Sequence, residues 1–311
     1  KKSSGSIDIA SLDKIKGFDP TLLGGYASRF KRLGFQASEL GRACELVDEI
    51  KKEKCAIFLT CTSNMVSSGL REIIAQLCEK KLITAIVTTT GAIEEDVIKT
   101  MSPFLLGDFE ADDAEVKANS MNRLGNIYVP DKHYCDFEDW HNAFIKEIYS
   151  EKKLIPASEY IFRMGKKLTD KHSVLCQASK NGIPIFCPGF VDGAMGDHLF
   201  FFNQNKKEPL IVDTTTDLNR FYQLVLGPDK IAGVVLGGGI SKHHLIGAAI
   251  LRDGLDYAIY LSTGTQYDGS LSGAHPKEAV SWNKLKNKKN SVLVEADATL
   301  TFPFVAAALL G

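Results

Sequence analysis

A lysine and a tryptophan two residues apart are the side chains of this sequence best suited to covalent chemistry. Lys284 follows Trp282 in the segment EAVSWNKLK (278–286), downstream of the glycine- and serine-rich loop YDGSLSGAHP (267–276). A lysine amine is nucleophilic only when neutral, and burial beside an aromatic ring disfavours its charged form. Such an amine attacks carbonyl or imine carbons and forms a covalent imine. Taken alone, the two residues are more typical of a solvated helical lysine and a core tryptophan.

Carboxylates and histidines suited to binding and proton transfer occur in two loops. Asp192 and Asp197 follow an apolar run in the segment DGAMGD, with glycines between them. Two carboxylates without a nearby histidine favour a protonated amine over a metal ion, although solvated loop charges are the simpler interpretation. His243 and His244 follow three glycines, where a neutral histidine at a helix start could relay protons. One surface and one core histidine is the alternative.

The elements that must position these residues alternate between short apolar runs and amphipathic stretches. In residues 63–81, Leu70, Ile73, Ile74 and Leu77 repeat at helical spacing. Alternating strands and helices predict an α/β fold with a parallel sheet covered by helices on both faces. We predict a single α/β domain over residues 25–311 and an N-terminal extension over residues 1–24. The predicted strands are 55–60, 83–88, 126–129, 183–187, 210–212, 231–236, 257–262 and 292–294.

Four strand-to-helix junctions carry polar or glycine-rich segments: TCTSN (60–64), TTTGAIEED (88–96), LGGGISKHH (236–244) and VEADAT (294–299). In parallel sheets, ligands bind where the strands end and the helices begin. Each junction alone could be only a helix cap. Together they suggest a dinucleotide lying across the ends of the strands.

Composition excludes several classes of function. The 311 residues include 37 Lys and Arg against 38 Asp and Glu, so there is no overall positive charge typical of nucleic-acid binding. The seven cysteines are scattered without a CxxC pair, which favours reduced cysteines in the cytoplasm over disulfides or zinc. We expect no metal site, and no apolar run is long enough for a membrane span.

Taken together, the motifs resemble those of deoxyhypusine synthases from residue 34 to the end of the chain. The resemblance is strongest in GGGISKHH and EAVSWNK. The other segments that carry it, in the family's order, are TSNMVSSGLRE, VTTTGAIEEDVIK, NRLGNIYVP, YCDFEDW, FCPGFVDGAMGD and EADATLTFP.

The resemblance implies a Rossmann-like, NAD-binding fold and an aminobutyl transferase. The implied reaction moves the aminobutyl group of spermidine, through an imine on the enzyme lysine, to one lysine of the precursor of translation initiation factor 5A. It also implies a homotetramer with its sites at the dimer interface. Homospermidine synthase, which transfers the same group to putrescine, is the principal alternative. Agmatine hydrolysis and a non-catalytic partner subunit are weaker ones, because no metal cluster is visible and Lys284 is present.

The resemblance also assigns roles to individual residues. Lys284 would capture the aminobutyl group, Trp282 would wall the polyamine and His243 would transfer a proton. Asp197 and Glu278 would bind the cationic amines of the substrate. The implied NAD contacts are Ser63, Asn64, Ser67, Thr89, Glu95, Asp192, Gly237, Gly239, Thr263, Asp268, Ser270, Ser272 and Asp297.

Two positions depart from the pattern of the animal members of the family. Leu271 stands where that pattern has an amine-binding aspartate, and Gly247 stands where it has an asparagine. Loss of a carboxylate from an amine site costs about 1–3 kcal/mol if nothing replaces it. The sequence therefore predicts the reaction type more firmly than the preferred polyamine.

Overall fold

A six-stranded parallel sheet forms the centre of the fold, in the order β11–β10–β9–β1–β2–β7. The computed structural model describes residues 7–311, so the first six residues of the predicted extension lie outside the described part. The strands are β1 Ala56–Thr60, β2 Ala85–Val87, β3 Leu105–Leu106, β4 Met121–Leu124, β5 Ile127–Pro130, β6 Leu154–Pro156, β7 Ile185–Phe186, β8 Ile211–Asp213, β9 Ile231–Leu236, β10 Tyr257–Ser262 and β11 Ser291–Glu295.

The apolar runs of the sequence form the central sheet as predicted. All six residues of β9 and all six of β10 are buried, as expected for strands covered on both faces. The predicted strands at 126–129 and 210–212 form, but outside this sheet. β5 pairs antiparallel with β3 and β4, because Gly125 (φ 60°) permits a tight turn between β4 and β5. β8 pairs only with β6 among the described strands.

Helices cover the sheet, and alternate strand residues supply two apolar clusters. Leu59 and Val234 belong to one cluster, whereas Phe58 and Val235 belong to the other. The helices are α1 Ala27–Phe30, α2 Phe35–Lys52, α3 Ser63–Ser67, α4 Leu70–Glu79, α5 Thr90–Met101, α6 Asp113–Ala118, α7 Asp131–Glu151, α8 Ala157–Lys167, α9 Val174–Asn181, α10 Ala194–Asn203, α11 Thr214–Leu226, α12 Gly239–Ala249, α13 Pro276–Ser281 and α14 Ala298–Leu310.

The helix predicted over residues 63–81 is interrupted between α3 and α4. At Gly69 a side chain has no room, because its Cβ would lie 2.9 Å from the Lys16 carbonyl oxygen. The buried ammonium of Lys99 donates to the carbonyls of Val66, Ser67 and Ser68 at 3.0, 3.1 and 2.9 Å. These contacts satisfy the carbonyls that the break leaves without helical partners.

Part of the predicted N-terminal extension packs against the domain. The Ile15 amide donates to the Phe104 carbonyl at 2.8 Å, and the Leu106 amide donates to the Asp13 carbonyl at 2.7 Å. The Gly17 amide donates to Glu72 Oε2 at 3.0 Å, beside the start of α4. Residues 13–15 therefore pair with the chain around β3, and residues 16–17 lie beside the break between α3 and α4.

A buried ion pair joins the three helices α4, α5 and α9. Arg71 Nε donates to Asp96 Oδ1 at 2.6 Å, and both side chains are almost fully buried. The same carboxylate accepts from the amides of Val174 and Leu175 at 3.1 and 2.8 Å. One aspartate on α5 thus pairs with α4 and caps the first turn of α9.

Candidate active site

The ends of β1 and β2 bring the first two polar junctions into contact. The two strands are parallel neighbours, and Thr60 pairs with Val87. The Ser63 amide donates to Thr89 Oγ1 at 3.0 Å, and the two hydroxyl oxygens lie 2.7 Å apart. The N-termini of α3 and α5 therefore open side by side at the carboxyl edge of the sheet, where their free amides favour anions.

A buried carboxylate lies one turn further along these helices. Ser67 Oγ donates a short hydrogen bond to Glu95 Oε2. Burial raises the pKa of Glu95 to about 7, against the lowering effect of the Ser67 hydrogen bond. Such a carboxylate is a hydrogen-bond acceptor whose strength changes near neutral pH, and ligand hydroxyls are suitable donors to it.

The glycine turn after β9 lies beside the end of β1, because the two strands are parallel neighbours. Gly237 (φ 79°) and Gly239 (φ 65°) are in the left-handed region and have open space where a Cβ would lie. Gly238 is crowded: its Cβ would come 2.1 Å from Ser272 Oγ, which belongs to the loop after β10. The turn therefore presents backbone on one side and contacts Ser272 on the other.

The other predicted cofactor residues divide into two kinds. Asp268 shapes its own loop by accepting from the Ser270 amide at 2.7 Å, and Asp297 caps α14 by accepting from the Thr299 amide at 2.7 Å. Asn64 and Thr263 are exposed. The structure thus places the predicted residues around one edge of the sheet, but it gives Asp268 and Asp297 structural roles of their own.

This edge fits a dinucleotide on three grounds. Helix N-termini suit phosphates, the glycine turn allows close approach to backbone, and Glu95 offers a buried acceptor for a sugar hydroxyl.

Lys284 lines a small cavity of about 20 Å³ on one face of the sheet. Its Nζ lies 5.3 Å from the centre of the Trp282 ring, and Glu278 and Leu271 share the cavity. The tryptophan is 62% exposed, so it forms an outer wall and is not a core anchor. The lysine is half-buried. The predicted lysine, aromatic wall and carboxylate are thus brought together.

The chain doubles back to reach this cavity. The Leu255 amide, just before β10, donates to the Lys284 carbonyl at 3.1 Å. Gly254 (φ 105°) makes the approach possible, since a Cβ there would lie 2.7 Å from the Lys284 carbonyl carbon. The Lys284 backbone therefore lies by the amino end of β10, and its side chain extends from there into the cavity.

A second lysine in the same cavity was missed by sequence reasoning. Lys242 is 3% exposed, and its Nζ donates to the carbonyls of Leu271 and Ala274 at 2.6 and 3.3 Å. Burial lowers the pKa of Lys242 to about 8, and the nearby charge of Lys284 lowers it further whereas Glu278 opposes the shift. Helical spacing was the available signal, because Lys242 shares a face with Leu245 and Ile246 on α12.

The histidine pair splits between surface and interior. His243 is exposed, whereas His244 stacks on Phe221 with ring centres 4.4 Å apart. Burial lowers the pKa of His244 to about 4. A Cβ on Gly247 would lie 3.6 Å from His243 Cε1, so the asparagine of the family pattern would contact His243. In this chain the first histidine of the pair is the accessible one, as its predicted role requires.

The carboxylates just before and within α10 lie near β7, at the opposite edge of the sheet from β10 and β11. Asp192 and Asp197 are exposed, and Glu94 of α5 lies buried beside them. Glu94 Oε1 accepts from the Met195 amide at 2.7 Å and so caps α10. Burial raises the pKa of Glu94 to about 7, against the effect of this amide. Glu94 is therefore a further buried carboxylate, to which sequence reasoning assigned no binding role.

A buried histidine pair anchors α10 next to Asp197. His198 Nδ1 lies 2.9 Å from His141 Nδ1, and His141 Nε2 lies 2.7 Å from the Tyr160 hydroxyl. Burial lowers the pKa of His141 to about 3. The neutral pair therefore joins α7, α8 and α10 by hydrogen bonds inside an aromatic cluster.

Asp197 and Lys284 do not meet within one chain. Asp197 follows β7, whereas Lys284 packs against β10, and three strands separate these two in the sheet. With strands about 4.8 Å apart, the two elements lie about 19 Å apart across the sheet. The side chains Val191, Phe200 and Phe201, which flank Asp197, are exposed by 59–73%.

Within residues 7–311, no group of three or more His, Cys, Asp or Glu side chains is arranged to hold a metal ion. In the same part of the chain, no helix is both long and apolar enough to cross a membrane.

Comparisons with known proteins agree with these motifs and this fold. A family model described as deoxyhypusine synthase matches residues 26–309. A Pyrococcus abyssi protein with deoxyhypusine synthase in its name is 44% identical over 94% of this chain and 91% of its own. The deoxyhypusine synthase of Candida glabrata is 38% identical over 89% of this chain and 84% of its own.

A solved structure gives the same result. A deoxyhypusine synthase structure from Entamoeba histolytica superposes with a TM-score of 0.66 at 26% identity, over 94% of this chain and 96% of that one. The resemblance, the parallel sheet and the enzyme class predicted from the sequence are therefore confirmed. The chain belongs to the deoxyhypusine synthase family and is an aminobutyl-transferring enzyme of hypusine formation.

Proposed function

We propose that this chain transfers the aminobutyl group of spermidine, in an NAD-dependent reaction, to one lysine of the precursor of translation initiation factor 5A. The cavity shared by Lys284, Trp282 and Glu278 is the observation that carries the proposal. It offers a nucleophile, an aromatic wall and a carboxylate to a cationic, flexible substrate. This set of groups suits an amine substrate and imine chemistry.

NAD would bind along the carboxyl edge of the sheet. Ser63 and Thr89 lie at paired helix N-termini, Glu95 offers an acceptor for a ribose hydroxyl, and Gly237 and Gly239 leave room for the phosphates. When bound, NAD would supply hydride acceptance and return.

Lys284 would carry the aminobutyl group. Its neutral amine attacks the imine carbon of oxidised spermidine and forms a new C–N bond. The original C–N bond of the substrate breaks, and 1,3-diaminopropane leaves with the two hydrogens that the Lys284 amine gives up. The amine of the acceptor lysine then attacks the enzyme imine and releases Lys284. Lys242 lies in the same cavity, and its Nζ is held by two backbone carbonyls. His243, exposed at the start of α12, would accept and return the proton.

A second copy of the chain would complete the substrate site. Asp197 lies too far from Lys284 to bind the same spermidine within one chain, and exposed apolar side chains surround it. A symmetric dimer would bury those side chains and bring Asp197 toward the partner's cavity. We therefore propose a homo-oligomer, with the tetramer as the expected state.

An imine trap tests the proposal directly. The protein is incubated with NAD and spermidine without acceptor, treated with borohydride and analysed by mass spectrometry. We expect an aminobutyl adduct on Lys284 that requires NAD. The adduct should be absent from Lys284→Ala and present in Lys286→Ala, a control lysine that pairs with Asp256 at 2.8 Å.

Other outcomes have definite meanings. An adduct in the Lys284→Ala variant would show that another lysine, such as Lys242, is the nucleophile. An adduct on Lys284 that passes to putrescine, but not to the protein acceptor, would assign homospermidine synthase activity instead.

A further inference from the structure

A basic groove runs along the edge of the central sheet, outside the cavity of Lys284. Its volume is about 460 Å³, and its walls come from β11, the start of α2 and the residues around α13. Arg42, Lys277, Lys288 and Lys289 line it, against only two acidic side chains, Glu39 and Glu295. We call this surface the β11 groove. The chain as a whole carries a net charge of −1, so the positive charge here is local.

The three lysines of the β11 groove are available to a ligand. Arg42 pairs with Glu39 at 2.9 Å. Lys277, Lys288 and Lys289 are exposed, and none of them forms an ion pair with an acidic side chain within the described part of the chain. Three ammonium groups without partners around one concave surface favour an anionic ligand.

The floor of the groove is a sheet edge. β11 is the terminal strand and pairs with β10. The Glu295 amide points away from β10, because it donates to Gln36 Oε1 at 2.8 Å. The direction of the backbone amide alternates from one residue of a strand to the next. The Leu293 amide, two residues before Glu295, therefore also points toward the groove. The Glu295 amide is already bound by Gln36, so the Leu293 amide is the edge donor that would pair with an extended peptide.

The groove adjoins the cavity of Lys284. His275 and Pro276 line both spaces, one on each side of the same short segment. A chain bound in the groove would therefore lie next to the point where an acceptor lysine must enter.

We propose that the β11 groove binds an extended, acidic segment of the protein acceptor by strand pairing with β11 and by ion pairs with Lys277, Lys288 and Lys289. This inference rests on the proposed function only for the identity of the acceptor.

Binding of a fluorescent oligoglutamate peptide, measured by anisotropy at low salt, tests the groove without any activity. The test variant is Lys288→Glu/Lys289→Glu, which lies outside the Lys284 cavity. The matched control is Lys171→Glu/Lys180→Glu, which changes two exposed lysines by the same charge. We expect wild type and control to bind alike and the groove variant to bind at least about tenfold more weakly.

Four outcomes would overturn the inference. The groove is not an acidic-peptide site if oligoglutamate does not bind wild type, or binds all three proteins alike. Equal binding of an N-methylated oligoglutamate would refute strand pairing, because that peptide cannot pair with a strand edge. An unchanged KM for the acceptor in the groove variant would refute the acceptor assignment. The borohydride adduct on Lys284 is measured in the same proteins and reports the proposed function separately.

Discussion

Restoring a carboxylate at position 271 should strengthen spermidine binding. The Leu271 side chain is half-buried and lines the cavity with Lys284 and Glu278. A hydrogen bond between a carboxylate and an ammonium contributes about 1.5–3 kcal/mol when it is shielded from water. Part of that gain is offset, because a half-buried carboxylate loses hydration and because Lys242 competes for it. We expect a net gain of about 1–2 kcal/mol, or about 5–30-fold in the spermidine KM.

The assay compares Leu271→Asp with Leu271→Asn, which has the same shape and no charge. Both variants lose apolar packing, since Leu271 contacts the cluster that includes Tyr260 and Leu285. The cost in stability should therefore be similar, about 1 kcal/mol each, and is checked by thermal unfolding. The spermidine KM is then measured at saturating NAD and acceptor. Equal KM values for the Asp and Asn variants would refute the idea that position 271 faces a substrate ammonium.

Three further changes test other parts of the structure. Glu95→Gln should weaken NAD binding about tenfold, as measured by titration calorimetry. Because burial raises the pKa of Glu95 to about 7, the NAD affinity of wild type should fall below pH 7, whereas that of the variant should not change with pH. Equal NAD affinities would argue against a ligand role for Glu95. Asp96→Asn should lower the free energy of unfolding by about 3–5 kcal/mol, because it removes the fully buried carboxylate that pairs with Arg71 and caps α9, and leaves Arg71 with the more exposed Asp170. Asp136→Asn, in an exposed pair, should cost less than about 1 kcal/mol. Chemical denaturation measures both, and similar losses would contradict the burial argument. Burial lowers the pKa of His141 to about 3, below its ordinary value of 6.5. Between these two pH values the unfolded chain binds a proton at His141 and the folded chain does not. As pH falls from 6.5 to 3, wild type therefore loses up to about 1.4 kcal/mol of stability per pH unit. His141→Gln should show a shallower pH dependence in the same denaturation assay, and an identical slope would exclude His141 as the source.

Local patterns in the sequence predicted the scaffold well. The apolar runs that became β1, β9 and β10 are short, β-rich and followed by turn residues, so their type is encoded within a few residues. The polar junctions after β1 and β2 could also be expected to meet, because parallel neighbours end at the same edge. The sequence predicted one helix over residues 63–81, whereas the structure has two, α3 and α4. The break lies at Gly69, which is in close contact with Lys16.

By itself, the sequence determined the pairing of Lys284 with Trp282, since two residues separate them. Tertiary structure alone decided that Lys242 enters the same cavity, that the Lys284 backbone returns to the amino end of β10, and that Asp197 lies across the sheet. The loop between β10 and α13 has no periodic signal, and its path depends on close contact between Ser272 and Gly238. The return of the chain after α13 likewise depends on close contact between Lys284 and Gly254. Helical and strand periods report which face a residue occupies, but not which distant element packs against that face.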